Sequence, residues 1–525
     1  MTEEPREPAI GTGAPEGQIP RACLAVLGLA FFGIYLALGL RDPVVHLADF
    51  FSHVGIAHEM GRSEPAKITN AFWPAGYPLL LKGVWALTGS PVVAARLIGA
   101  GFAALALVAV ALIARDVTGD AVLAFIVAVC CGMAPPFAQW APAEGTDIPC
   151  VAMLLVSAAL LTGRRPRVLL AGAAAGLAYD FRYAAQVPAL AQGVWLLAVG
   201  AGGARPRWKQ AGLYALAFVA AASPQLALTW WAYGTPFRSF MAKNVWFGIY
   251  GDANWQEHWG DVPDEIGLLE VIRLGPARFF QHWAGGFAGL LVGSFVFPKT
   301  MLGYGTHALL PLGLIHAAWR LRGAAGLVYF TAAAYLGALA MAFLGPRYFL
   351  PLVAPLMLSV WWFLRDSVPR EVQAWGRPVP ARAIALAAAL VVKAALDLNA
   401  MVALPASSRR VLAVDDALRH SGMSDPPQVL TSSGDYYDLW TLGRYVRWES
   451  AFPEPVKDLG ELVSLMRRKK LRFVIYDDFY GKTKTLGHLS WLLDSPASRQ
   501  GPLVKILRVD GDVPAAVYRL EDAAP

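Results

Sequence analysis

Charge is what this chain lacks. Only 16% of its 525 residues are Asp, Glu, Lys or Arg, against about 25% in an ordinary soluble domain. The deficit falls on the first four-fifths, where long apolar runs recur. That excludes a soluble fold there and leaves many membrane helices, since helices satisfy every backbone polar group internally in lipid. Cysteine is scarce as well. Cys23, Cys130, Cys131 and Cys150 lie in or beside apolar runs with no Cys-x-x-Cys pair, so they read as small buried apolar residues rather than metal ligands. A Gly-rich phosphate loop is missing, as is any internal repeat, and transporters commonly show matching halves. Residues 1–20 lack the basic n-region of a cleaved signal and read as a disordered cytoplasmic tail.

What is present is a topology. Full spans are expected near 22–40, 92–114, 120–136, 146–162, 167–180, 183–201, 209–232, 306–320, 324–344, 347–365 and 381–404. Segments 74–88 and 286–297 are short for a span, which takes roughly 20 residues, and read as re-entrant or interfacial. The net charge of +7 comes from short basic loops and does not point to nucleic acid. With a cytoplasmic N-terminus, the loops Arg164–Arg167, Arg205–Lys209, Arg320–Arg322 and Arg365–Arg382 fall inside, as the positive-inside rule requires. Outer loops 41–73 and 233–285 then face the other side. If both short segments also span, the count rises from eleven to thirteen, the ends stay put, and two basic loops land on the wrong side. The fold class is therefore a polytopic α-helical membrane protein, with a transmembrane domain over 21–404.

Residues 405–525 change character. Gln428–Thr431, Arg472–Tyr476, Val504–Val509 and Ala516–Leu520 read as strands, with a Gly511-Asp512 turn between the last two. Leu459, Leu462, Val463 and Met466 have helical spacing, and Lys469-Lys470 suit the end of that helix. This predicts a small extracytoplasmic α/β domain.

Two acids stand at helix mouths. Asp49 follows the first span in Leu47–Phe51, and Asp147 closes the run Ala143-Glu144-Gly145-Thr146-Asp147 where another span begins. A Pro-x-Gly-Tyr-Pro-Leu-Leu-Leu segment runs from Pro74 to Leu81, and Ala94-Ala95-Arg96-Leu97 opens a helix. Arg182-Tyr183 and Arg347-Tyr348 are basic-aromatic pairs, the second followed by Leu350-Pro351-Leu352. In this order and on this side of the membrane, the set resembles the GT-C membrane glycosyltransferases, in particular the protein O-mannosyltransferase and aminoarabinose-transferase superfamily. The likeness covers nearly the whole chain. It departs in two places: relatives often carry two adjacent acids where Asp49 stands alone, and Trp73 stands where aminoarabinose transferases have lysine.

The resemblance implies hexosyl or pentosyl transfer from a polyprenyl-phosphate donor to an acceptor hydroxyl at the outer face of the plasma membrane, the acceptor being a protein, a glycolipid or a polysaccharide. A hydroxyl is a weak nucleophile, so a carboxylate within reach helps by taking its proton. The leaving lipid phosphate is already stable as an anion and needs positive charge rather than an acid. Asp49 and Asp147 are the candidate catalytic acids. Arg182, Arg347, Tyr348 and Lys299 are the candidate phosphate ligands, arginine because its planar fork grips phosphate bidentately. No cofactor and no metal site is expected: His46, His53 and His58 are spaced so that they do not share a helical face. The plainer readings are a solvated loop acid for Asp49, a helix N-cap for Asp147, a surface acid for Glu144, and snorkelling or interfacial residues for Arg182, Arg347 and Tyr348. Trp246, Trp255, Trp259 and Trp283 suit sugar stacking or interfacial anchoring. A transporter or lipid-carrier flippase is the alternative function. A non-catalytic envelope-assembly subunit, binding a partner through Asp435–Asp438, is the other.

Overall fold

The computed structural model describes residues 18–42, 49–62, 68, 71–202, 206–250, 262–292, 302–303, 306–341, 346–374, 377–403, 406–421, 429–431, 458–477, 491–510 and 514–521. Each expected full span meets a helix or a helix extended by a short turn. Arg21–Arg41, Pro91–Thr118, Arg207–Tyr233 and Arg347–Ser367 are long and apolar enough to cross a membrane unaided. At 1.5 Å per residue the Pro91–Thr118 helix extends roughly 42 Å. Others are shorter, such as Ala121–Met133 and Gly323–Leu339. The chain is thus a polytopic helical membrane protein with a small C-terminal sheet region.

Local signals set the breaks. Gly89 ends the Gly76–Thr88 helix at φ 71°, and Ser90 opens the next by accepting from Val93 N, with Pro91 in its first turn. Gly119 and Asp120 repeat that stop and start, Asp120 accepting from Leu123 N. The 74–88 segment is a thirteen-residue helix, too short to span. The second short segment is displaced from its expected position. Its helix runs Pro276–Val292, because Pro276 rather than the later apolar run starts it; residues 293–297 lie outside the described ones.

The helix Val168–Phe181 packs backbone to backbone on Arg207–Tyr233. A Cβ on Gly172 would sit 2.2 Å from Tyr214 O, and one on Gly176 would sit 2.4 Å from Phe218 O. Small residues spaced four apart are what let membrane helices approach backbone to backbone. Gly172→Leu should push the pair apart, at ~1–3 kcal/mol for overpacking, and lower the thermal unfolding midpoint in detergent by several degrees. Gly212→Leu, on the same partner helix but with nothing within 4 Å, should leave the midpoint unchanged.

Three of the four cysteines are buried as expected. Cys23 is exposed, on a helix whose buried face consists of Leu27, Phe31, Tyr35 and Gly39.

Among the described residues, the C-terminal sheet has five strands in the order β3 (Val429–Thr431), β4 (Phe473–Asp477), β7 (Ala515–Leu520), β6 (Leu503–Val509) and β5 (Arg499–Gln500). β3 and β4 are parallel and the remaining pairs antiparallel. Period-two alternation along β4 sends Val474 and Tyr476 toward the Leu459–Arg468 helix, and Phe473 and Ile475 toward the Ala406–His420 helix. That second helix, and a short hairpin of β1 (Val372–Ala374) with β2 (Arg377–Val379), lie outside the elements the sequence pattern predicts. Asp435–Asp438 and the Gly511-Asp512 turn lie outside the described residues.

Candidate active site

The acids and arginines singled out in the sequence come together at one end of the helical bundle. Arg347 Nη1 donates to Asp49 Oδ2 at 2.9 Å. Arg182 makes a close ion pair with Asp147, and its Nη1 also donates to Thr146 Oγ1 at 3.5 Å. Both guanidinium carbons lie 5.3 Å from the centroid of the Tyr348 ring, and Arg347 Nη2 donates to the Tyr348 hydroxyl at 3.3 Å. The side chains are 22% exposed for Arg347 and 21% for Arg182, so the guanidiniums are held firmly yet remain reachable. Asp147 is the first residue of its helix, but no side chain caps that helix; the Asp147 carboxylate engages Arg182 instead.

Asp147, Arg182, Arg347 and Tyr348 line one pocket, and the ion pair of Arg347 ties Asp49 to its wall from outside. Val151, Leu154, Tyr335 and Pro351 line this pocket and also a second, apolar cavity. The two volumes are therefore neighbours across four shared side chains.

The Pro74–Leu81 motif explains how the arms are held. A Cβ on Gly76 would lie 2.5 Å from Asp180 O, so only glycine lets this turn seat against the chain leading to Arg182. Ala75 N donates to Gln225 Oε1 at 2.7 Å, and Gln225 Nε2 donates to the hydroxyl of Tyr183 at 2.9 Å. On the other side, the fully buried Tyr77 accepts from Gly145 N at 3.2 Å, fixing the loop that carries Asp147. Glu144 is not a surface acid: it is fully buried, and Arg96 Nε donates to its Oε1 at 3.0 Å. A helix arginine packed among apolar residues needs an acid partner, and Glu144 supplies it. Both residues belong to motifs visible in the sequence, and that requirement is the signal that could have paired them.

His53 stands one helical turn after Asp49 in the Asp49–Glu59 helix. It is 1% exposed, its ring is edge-on to Tyr77 at 5.0 Å and to Trp73 at 6.0 Å, and its Nδ1 has no hydrogen-bond partner. Burial pushes its pKa down to about 4, with Arg182 and Arg347 adding to that and Asp49 opposing it. The unfolded chain binds this proton near pH 6.5 and the folded chain does not, so stability is full above that pH and is lost as pH falls toward about 4. The loss should reach about 3 kcal/mol. His53→Phe keeps the ring and should flatten the decline between pH 6.5 and 4, read as unfolding midpoint against pH.

Lys299, His46, Trp255 and Trp259 lie outside the described residues. Trp283 is packed within the bundle, its Nε1 donating to Gly337 O at 2.8 Å, and Trp246 packs beside Tyr250 at 5.8 Å. Among the described residues, no cluster of three or more His, Cys, Asp or Glu could hold a metal ion.

Residues 73–231 match the family model described as dolichyl-phosphate-mannose-protein mannosyltransferase. No curated protein matches the chain. Among solved structures, ArnT from Cupriavidus metallidurans in the apo state is similar at 12% identity and TM-score 0.54, covering 95% of this chain and 97% of that one. The same protein bound to undecaprenyl phosphate gives 13% and 0.55 over the same shares. The apo oligosaccharyltransferase of Archaeoglobus fulgidus gives 14% and 0.52, covering 87% of this chain and 69% of that one.

Proposed function

From a chain with the GT-C membrane fold, we propose a glycosyltransferase that moves a sugar from a polyprenyl-phosphate donor to an acceptor hydroxyl. One observation carries this reading: a pocket bearing two arginines adjoins an apolar hollow between the helices, the two sharing four lining side chains. A ligand with an anionic phosphate head and a long apolar chain suits that pair of volumes. The matched segment 73–231 includes Asp147 and Arg182, and ArnT, which shares the fold, has been solved bound to undecaprenyl phosphate. Both agree with a lipid-phosphate donor here.

In the proposed reaction the acceptor oxygen attacks the anomeric carbon. The bond from that carbon to the phosphate oxygen breaks, and its electron pair leaves with the polyprenyl phosphate. The acceptor proton passes to Asp49. Arg182 and Arg347 stabilise the departing phosphate, with the Tyr348 hydroxyl beside them. Asp147 holds Arg182 in position, and Lys299 is a further candidate phosphate ligand. While Arg347 bonds Oδ2 of Asp49, that oxygen is occupied. A phosphate competing for Arg347 releases it, so donor binding prepares the base.

Leu350–Ser367 runs from the arginine pocket to the opposite end of the bundle, where Arg365 Nη1 donates to Thr118 O at 3.0 Å and Arg320 pairs with Asp366 at 3.0 Å. Basic groups at that end favour it as cytoplasmic. The site then faces the outer side of the plasma membrane, with the C-terminal domain extracytoplasmic. The test uses proteoliposomes supplied with a panel of polyprenyl-phosphate sugars and scores mass gain of acceptors. Sugar transfer supports the proposal. Movement of the lipid across the bilayer with no covalent product assigns a flippase instead.

A further inference from the structure

We propose that Gln192 and Thr331 form a polar point in the apolar cavity that selects an unsaturated isoprenoid chain over a saturated one. This rests on the lipid-phosphate reading above and adds to it a preference within the chain.

The apolar cavity is walled largely by aliphatic side chains such as Ile113, Leu155 and Leu358, with Gln192 and Thr331 among them. Gln192 is fully buried. Its Oε1 accepts from Ser157 Oγ at 2.6 Å and from the Tyr214 hydroxyl at 2.8 Å, which fixes the amide plane. Its Nε2 is left with two N–H donors and no partner, and the Thr331 hydroxyl is likewise unpartnered. Inside a lipid-embedded bundle there is no bulk water to supply the missing bonds, and unmade ones are costly. A ligand filling the cavity therefore gains by presenting an acceptor at this depth.

The depth fits the chain of a lipid held at the arginines. Ala185, one turn beyond Arg182, lines the phosphate pocket, and Gln192 lies two helical turns further along the Gln186–Ala198 helix. At 1.5 Å per helical residue, Gln192 is roughly 10–15 Å from Arg182, a distance spanned by the first few isoprene units. A saturated alkyl chain has no acceptor to offer there. An isoprenoid double bond offers a π face to the N–H and O–H donors, a weak but real contact.

The experiment measures binding of two probes to the full chain in nanodiscs: a polyprenyl monophosphate, and its fully hydrogenated analogue of equal length. Wild type should prefer the unsaturated probe by about threefold to fivefold, the range of one or two weak hydrogen bonds. Gln192→Leu should erase the preference by tightening the saturated probe. Thr331→Val, which leaves the Ser157–Gln192–Tyr214 bonds intact, should reduce it, and this variant carries the test should Gln192→Leu fail to fold. Arg347→Ala should weaken both probes equally. Equal binding of the two probes by wild type, or a preference unchanged in Thr331→Val and any folded Gln192→Leu, overturns the inference and leaves the lipid-phosphate site standing. Failure of wild type to bind either probe overturns the site itself.

Discussion

Asp49→Asn should lose sugar transfer by about 10²–10⁴-fold, the usual contribution of a positioned general base, while folding and binding polyprenyl phosphate normally. Asparagine keeps the shape of the side chain and can still accept a hydrogen bond from Arg347 through its amide oxygen. It cannot take the acceptor's proton. The deficit should therefore appear in kcat and not in affinity for the lipid phosphate. Asp147→Asn should behave differently. Asp147 pairs with Arg182 and lines the phosphate pocket, so its loss should loosen the donor and raise KM first. Normal turnover by Asp49→Asn in proteoliposomes would remove Asp49 from the chemistry.

Arg347→Ala should weaken polyprenyl-phosphate binding by about 30-fold, the low end for truncating one member of a hydrogen-bonded charge pair, because the pair with Asp49 is only partly buried. The effect has two parts. The phosphate loses a two-pronged donor, and Asp49 keeps its charge beside the pocket with its guanidinium partner gone. Arg347→Lys should recover only part of the loss, because a point charge cannot bond Asp49 and Tyr348 together through one planar fork. Titration of the purified variants with polyprenyl phosphate checks this. Wild-type affinity in Arg347→Ala would place the phosphate elsewhere.

Much of this arrangement was legible in the sequence, and the reason is the membrane. Lipid makes charge expensive, so Asp49, Asp147, Arg182 and Arg347 stand out against their apolar surroundings without any knowledge of packing. The same rule gave the helices, and short apolar, β-branched runs set off by turn residues gave the strands β3, β4, β6 and β7. The rest depended on contacts between distant segments. Glu144 looks like a surface acid beside Gly145 until Arg96, 48 residues earlier, is seen against it. Tyr77 and Gly76 were visible as a motif, but their use depends on Gly145 and Asp180 being brought to them. His53 was one of three histidines in a loop, and only burial against Trp73 and Tyr77 separates it from the others. Gln192 carried no signal, because a lone glutamine in an apolar run is ordinary until a cavity is found beside it.

The central claim is that the two guanidinium groups hold a lipid phosphate. A cryo-EM structure of the protein saturated with a polyprenyl phosphate tests it most directly. The account predicts phosphate density within hydrogen-bond reach of Arg182 and Arg347, Arg347 drawn away from Asp49, and chain density passing Tyr335 toward Leu358. Density for the phosphate at any other place, with both ion pairs intact and the apolar cavity unfilled, would contradict it.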